Sequence, residues 1–101
     1  MPTKTTRDKV ECLNPNTGGR INIDKEVYEL FARAIYDTLR RRQPLTYTEM
    51  VKGVEAYLKQ QKTSFNGSVS WYAVTVKNDM HARERIEVFT EKGRKLHRLI
   101  K

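Results

Sequence analysis

The chain has one cysteine, Cys12, among its 101 residues, so no second thiol is at hand to close a disulfide within it. A packed core must hold the fold, and a reducing, cytoplasmic setting is expected. There is also no run near the roughly 18 apolar residues that a membrane-spanning helix requires. Residues 1–7 offer no apolar stretch that would serve as a secretory signal. Neither long helix pairs a basic face with a broad apolar one, so no membrane partner is expected. Acid is scarce as well: 12 Asp and Glu stand against 20 Lys and Arg, a formal net charge of +8. A surface of that sign attracts phosphate or an acidic partner. Internal repeats, low-complexity tracts and long linkers are missing, and a chain of about 100 residues is the size of one ordinary domain.

The usual furniture of catalysis is missing too. His81, His97 and Cys12 do not stand at metal-ligand spacing, and no Ser occupies a strained elbow motif. Gly18-Gly19 reads as a turn and not as a loop that cradles phosphate. His97 falls in an expected strand, where a surface or half-buried imidazole is the natural reading. No catalytic residue, metal ligand or cofactor site is expected, and the chain reads as a binding domain and not as an enzyme.

What is present is a regular order of elements. Residues 9–13 and 20–23 read as short strands around Asn14-Pro15-Asn16-Thr17-Gly18-Gly19, a turn-forming sequence that predicts a hairpin or arm. Asp24 is placed to accept backbone N–H groups at the start of a helix, with Glu26 favourable in its first turn, and Val27, Phe31, Ile35 and Leu39 follow at helical spacing. That helix runs to about Arg42, where Pro44 stops it. Leu45 is expected to add a short strand. Thr46 and Glu49 form a capping box for a second helix, whose face of Met50, Val51, Val54, Tyr57 and Leu58 extends to about Lys62. A connection containing Asn66-Gly67 leads to a third helix, capped by Ser68 or Ser70, with Val69, Tyr72, Ala73, Val76 and Met80 on one side. It is expected to end near Arg83. Residues 86–89 and 95–100 flank a turn at 90–93 and predict a C-terminal hairpin.

This order predicts the α+β class and a winged helix-turn-helix: three helices, a C-terminal β-hairpin wing and an N-terminal β-arm. The expected organisation is a single domain over 1–101, with residues 1–8 disordered, the arm over 9–23, three helices over 24–83 and the wing over 85–100. Gly67-Ser68-Val69-Ser70-Trp71-Tyr72, Val76-Lys77-Asn78-Asp79-Met80, Ala82-Arg83 and Ile86-Glu87 resemble a family of small bacterial winged-helix proteins of unassigned function. Leu13-Asn14-Pro15 and Leu45-Thr46-Tyr47-Thr48-Glu49 resemble the same family. The resemblance implies the fold, and it implies no substrate, cofactor or catalytic residue. Sequences of that family place Gly just after the Ala-Arg pair, where this chain has Glu84, so the corner between helix and wing is expected to differ.

The third helix and the wing are the candidate interface. At about 100° per residue, Trp71, Val74, Thr75 and Asn78 lie opposite the core side of the helix, flanked by Lys77 and His81, with Ser70 in the first turn. In a winged helix these side chains would meet the groove of double-stranded DNA: Asn78 an adenine edge, Thr75 either kind of base edge, Val74 a thymine methyl. Lys92, Arg94, Lys95 and Arg98 form a positive wing suited to phosphate. A transcriptional regulator would use such a surface. The alternative is a protein-interaction or homodimerisation module, in which the arm or a second copy covers the bulky, apolar Trp71 and Val74. RNA binding through stacking on Trp71 is a further, thinner reading.

Overall fold

The structure, a computed structural model, describes residues 9–63, 65 and 67–100. Residues 1–8, where disorder is expected, and Asn66 of the expected connection lie outside the described residues. The described chain is α+β, with three helices and two small antiparallel sheets. β1 (Lys9–Leu13) and β2 (Arg20–Asp24) form the expected arm, in register from Lys9 opposite Asp24 to Leu13 opposite Arg20. At its tip the Asn14 side chain accepts the Asn16 N–H at 2.9 Å, and Gly18 takes a φ of 76°, open to a residue without Cβ.

α1 (Lys25–Arg41) buries Tyr28, Phe31, Ala34, Ile35 and Leu39, the spacing that turns one face to the core. Asp24 does precede it, but its side chain makes no capping hydrogen bond. The arm explains the difference: Lys9 pairs with Asp24 across the hairpin, and its Nζ meets the carboxylate at 2.8 Å. At the other end Arg40 and Arg41 hold Asp37 at 3.1 and 3.0 Å.

β3 (Leu45–Thr46) leads directly into α2 (Tyr47–Gln60), where both halves of the capping box form. Thr46 Oγ1 accepts the Glu49 N–H at 3.2 Å, and the Glu49 carboxylate accepts the Thr46 N–H at 2.9 Å. α1 and α2 approach closely because residue 53 is Gly; a Cβ there would run into the Thr38 side chain.

α3 (Val69–Ala82) starts at Ser68, whose Oγ accepts the Trp71 N–H at 3.1 Å. It is the centre of the fold, packed by α1, α2, the arm and the hairpin of β4 (Ile86–Glu91) and β5 (Arg94–Leu99). Every residue from Thr75 to Met80 is buried in consequence. The rings of Phe31, Phe65 and Tyr72 meet around its first turn, with centroids 5.0 to 5.6 Å apart. β5 is the middle strand of the order β3-β5-β4, with Leu45 opposite His97 and Val88 opposite His97 on the other side. Lys92 and Gly93, at φ 53° and 77°, make the tight turn whose twist suits a hairpin.

The corner between α3 and β4 keeps a left-handed turn without glycine. Glu84 adopts φ 61°, the Arg85 N–H reaches the Met80 carbonyl at 2.8 Å, and the Glu84 N–H reaches that of His81 at 3.0 Å. This is a Schellman-type ending.

Candidate nucleic-acid interface

The surface foreseen on α3 divides into an open and a closed part. Ser70 is exposed, Trp71 is 42% exposed, and Val74 and His81 are half-buried. Thr75, Lys77 and Asn78 are instead buried, which corrects the expectation of one open face running the length of the helix. The arm and the β4–β5 hairpin each close a side. The turn of the arm comes over Thr75 and Asn78, and Lys77 lies toward β5, where the charge of Lys95 acts on it. Burial, with Lys95 second, holds the Lys77 ammonium below its ordinary pKa.

Trp71 is not covered by the arm within this chain. Its ring stands edge-on against Tyr72, centroids 4.8 Å apart, and Tyr72 belongs to the aromatic cluster, so the indole is presented from a packed base. The Tyr47 hydroxyl donates to the Ser70 carbonyl at 2.8 Å and ties the first turn of α2 to that of α3. Its burial raises the phenol pKa.

On the hairpin, Lys92, Arg94, Lys95 and Arg98 are all exposed. Arg98 is engaged, with Nε 2.8 Å from Glu87 and its guanidinium 4.9 Å above the Phe89 ring. Among the described residues Lys92, Arg94 and Lys95 make no salt bridge within 4.0 Å. Glu49 feels the charge of Arg94, and Glu91 stands opposite Arg94 in the hairpin, so Lys92 and Lys95 are the more open cations of the three.

His97 is fully buried, not the surface or half-buried imidazole expected of a strand residue in a hairpin. Its position on the middle strand explains this, since β3 and β4 flank it on both sides. Nδ1 lies 3.0 Å from the Leu45 carbonyl and must carry the hydrogen, because the carbonyl is only an acceptor. Nε2 has no partner among the described residues. Burial holds the imidazole pKa below its ordinary value, helped by Lys77, Lys95 and His81, while the Leu45 carbonyl opposes the shift.

Asp79 was not singled out from the sequence, yet it organises the arm. Fully buried, it accepts the Leu13 N–H at 2.9 Å, the Tyr28 hydroxyl at 2.5 Å and Arg83 Nε at 2.9 Å. Arg83 also reaches the Glu11 carbonyl at 3.1 Å, so arm, α1 and α3 share one clasp. Burial and then Asp79 push the Tyr28 phenol above its ordinary pKa, and the same two causes push the Cys12 thiol up to about 11. The available signal was an acid between Val76 and Met80, core positions both, with an Arg four residues on. Among the described residues no group of His, Cys, Asp and Glu could hold a metal ion, and no helix is long and apolar enough to cross a membrane.

Fold and surface together define a small, basic α+β domain whose central helix is clasped by an arm on one side and a charged hairpin on the other. The chain belongs to a family of unknown function, DUF6958, whose model matches residues 9–96, from the arm into β5. No curated protein and no solved structure matches the chain.

Proposed function

We propose that the protein is a winged-helix domain that binds double-stranded DNA through the first turns of α3 and the β4–β5 wing, in the manner of a transcriptional regulator. The observation that carries this reading is the exposed charge of Lys92, Arg94 and Lys95, none of them in a salt bridge among the described residues, on a hairpin that follows α3 directly and shares a sheet with β3. Such cations release counterions from phosphate and supply affinity without sequence information. Base reading falls to Ser70, Trp71, Val74 and His81, because Thr75, Lys77 and Asn78 are buried. Affinity is therefore expected to be mostly sequence-blind. Fluorescence anisotropy with a mixed-sequence duplex tests this. Reversing Lys92, Arg94 and Lys95 to Glu should abolish binding at low salt, and the wild-type slope of log K against log salt should be about −2.7 for those phosphate contacts. No binding at tens of micromolar protein overturns it.

A second reading, association with another copy or another protein through the arm and Trp71, is favoured by the exposure of Trp71 (42%) and Ile21 (45%). Light scattering that finds a dimer in the wild type and a monomer in Trp71→Ala supports it. A monomeric wild type removes the homodimer.

A further inference from the structure

The arm is a sheet of two strands, and one of its edges is used within the chain. The Leu13 N–H goes to Asp79 at 2.9 Å, and the Glu11 carbonyl accepts from the Arg83 guanidinium at 3.1 Å. Backbone groups alternate sides along an antiparallel strand, so residues 11 and 13 turn theirs away from β2, whereas 10 and 12 turn theirs toward it. The turn agrees, with the Asn14 N–H donating to the Gly19 carbonyl at 3.0 Å. Val10 and Cys12 stand opposite Ile23 and Ile21, and these residues of β2 complete the ladder. The N–H and carbonyl groups of Arg20 and Asn22 therefore point outward. Among the described residues no strand pairs with that edge, and residues 20–22 are all exposed, Ile21 at 45%. An open edge of this kind is a template for another strand.

The sequence of the edge selects which strand. Arg20-Ile21-Asn22-Ile23-Asp24 is its own complement when reversed. Laid antiparallel on a second copy and centred on Asn22, it sets Arg20 opposite the partner's Asp24, Ile21 opposite the partner's Ile23 and Asn22 opposite the partner's Asn22. Opposite charges and β-branched pairs across strands favour this register, whereas a parallel one would set like charge against like. Asp24 already meets Lys9 at 2.8 Å, and Arg20 lies 3.6 Å from Glu11. A carboxylate has room for a second donor and a guanidinium for a second acceptor, so neither contact bars the new pair. We propose that the outer edge of β2 pairs antiparallel with β2 of a second copy, joining the two arms into one sheet about a twofold axis at Asn22. This rests on the reading of the arm as an association surface and deepens it, and the β4–β5 hairpin takes no part.

Sedimentation equilibrium of the full chain tests the pairing. A wild-type dimer is expected, with a dissociation constant of roughly 100 µM or tighter, as suits a small interface. Arg20→Asp and Asp24→Arg should each weaken dimerisation by roughly tenfold or more, because symmetry repeats the like-charge contact. Their equimolar mixture should restore it, since the Arg20→Asp chain meets the Asp24→Arg chain with opposite charges at both ends. Asn22→Pro removes an outward N–H while sparing the bonds between β1 and β2. It should be monomeric, and it serves if a charge variant does not fold. A wild type that is monomeric well above that concentration overturns the proposal together with the homodimer. A dimer that survives the edge substitutions but is lost in Trp71→Ala overturns the pairing of β2 and keeps the broader reading. Assembly beyond a dimer also overturns it, because a twofold contact closes on itself.

Discussion

The two sides of α3 bury charge in opposite ways. On the arm side Asp79 is fully enclosed, and each approach to its carboxylate is met by a donor from Leu13, Tyr28 or Arg83. On the side of the β4–β5 hairpin Lys77 and His97 are enclosed beside Lys95 and His81, and no acid is among the groups that shift them. A buried charge must be paired or given up. The arm side pairs it and gains a clasp between elements far apart in the chain. The hairpin side disfavours it, because desolvation favours neutral imidazole and lowers the pKa of the Lys77 ammonium. The first arrangement is a fastening and the second responds to pH.

The largest effect that would break this contrast comes from Asp79→Ala. It removes the acceptor shared by three donors and leaves a guanidinium, a phenol and a backbone N–H without their partner. Arg83 is 41% exposed and recovers water, but each buried donor left unsatisfied, the Tyr28 hydroxyl and the Leu13 N–H, costs about 1–3 kcal/mol, together a large part of the roughly 5–15 kcal/mol that holds a small domain folded. Urea unfolding at neutral pH reads the loss, and hydrogen exchange at Leu13 reports release of the arm. A loss below about 1 kcal/mol, the worth of one ordinary hydrogen bond, would mean that apolar packing of Cys12 and Ile23 pins the arm and that the clasp is incidental.

The hairpin side is probed by pH. The folded pKa of His97 lies below the ordinary imidazole value of 6.5, so between the two values the unfolded chain binds the extra proton. Stability is therefore full above about 6.5 and falls as pH drops toward the folded value, by at most about 1.4 kcal/mol for each pH unit in that window. His97→Gln keeps a side-chain donor for the Leu45 carbonyl and removes the titration. Melting temperatures at pH 7 and pH 5 should differ less in that variant than in the wild type. An equal difference in both would assign the acid sensitivity to other groups and dissolve the contrast between the two sides.

What could be read from sequence and what could not follows the same division between local and distant causes. Thr46 and Glu49 announce their capping box because both partners lie within one helical turn. The arm and the β4–β5 hairpin are likewise set by residues close in sequence, through turn chemistry at Asn14 to Gly19 and Lys92-Gly93. Asp79 and His97 are different, since the groups that satisfy or enclose them, Leu13, Tyr28 and Leu45, lie 66, 51 and 52 residues away. The division of α3 into a core face and an open face failed for a related reason. A helix packed on several sides has no single polar face for periodicity to find, and its polar residues Thr75, Lys77 and Asn78 are enclosed with its apolar ones. Trp71 stayed open where burial by the arm was one expectation, because the turn of the arm comes to rest farther along the helix.

The smallest effect tests the corner at which the two sides meet. Glu84 stands between Arg83, which belongs to the clasp, and Arg85, whose carbonyl accepts the Ile100 N–H at 3.0 Å. Its φ of 61° carries a steric cost for any residue with a Cβ, and its carboxylate lies at the negative end of the α3 dipole. Glu84→Gly removes both penalties at the expense of a more flexible unfolded chain, for a net gain of about 0.5–1 kcal/mol. In a chain of this length that is a rise of a few degrees in melting temperature, on a scale of roughly 4–8 °C per kcal/mol. Glu84→Ala separates the causes, because it removes the charge and keeps the strained backbone; a gain of only a few tenths of a kcal/mol is expected from it. If Ala matches Gly, the dipole governs the corner and the left-handed turn is unstrained. With the turn responsible, the gain from Gly should persist within about 0.5 kcal/mol in His97→Gln, since separate sites add, and the corner would then join clasp and hairpin without coupling them.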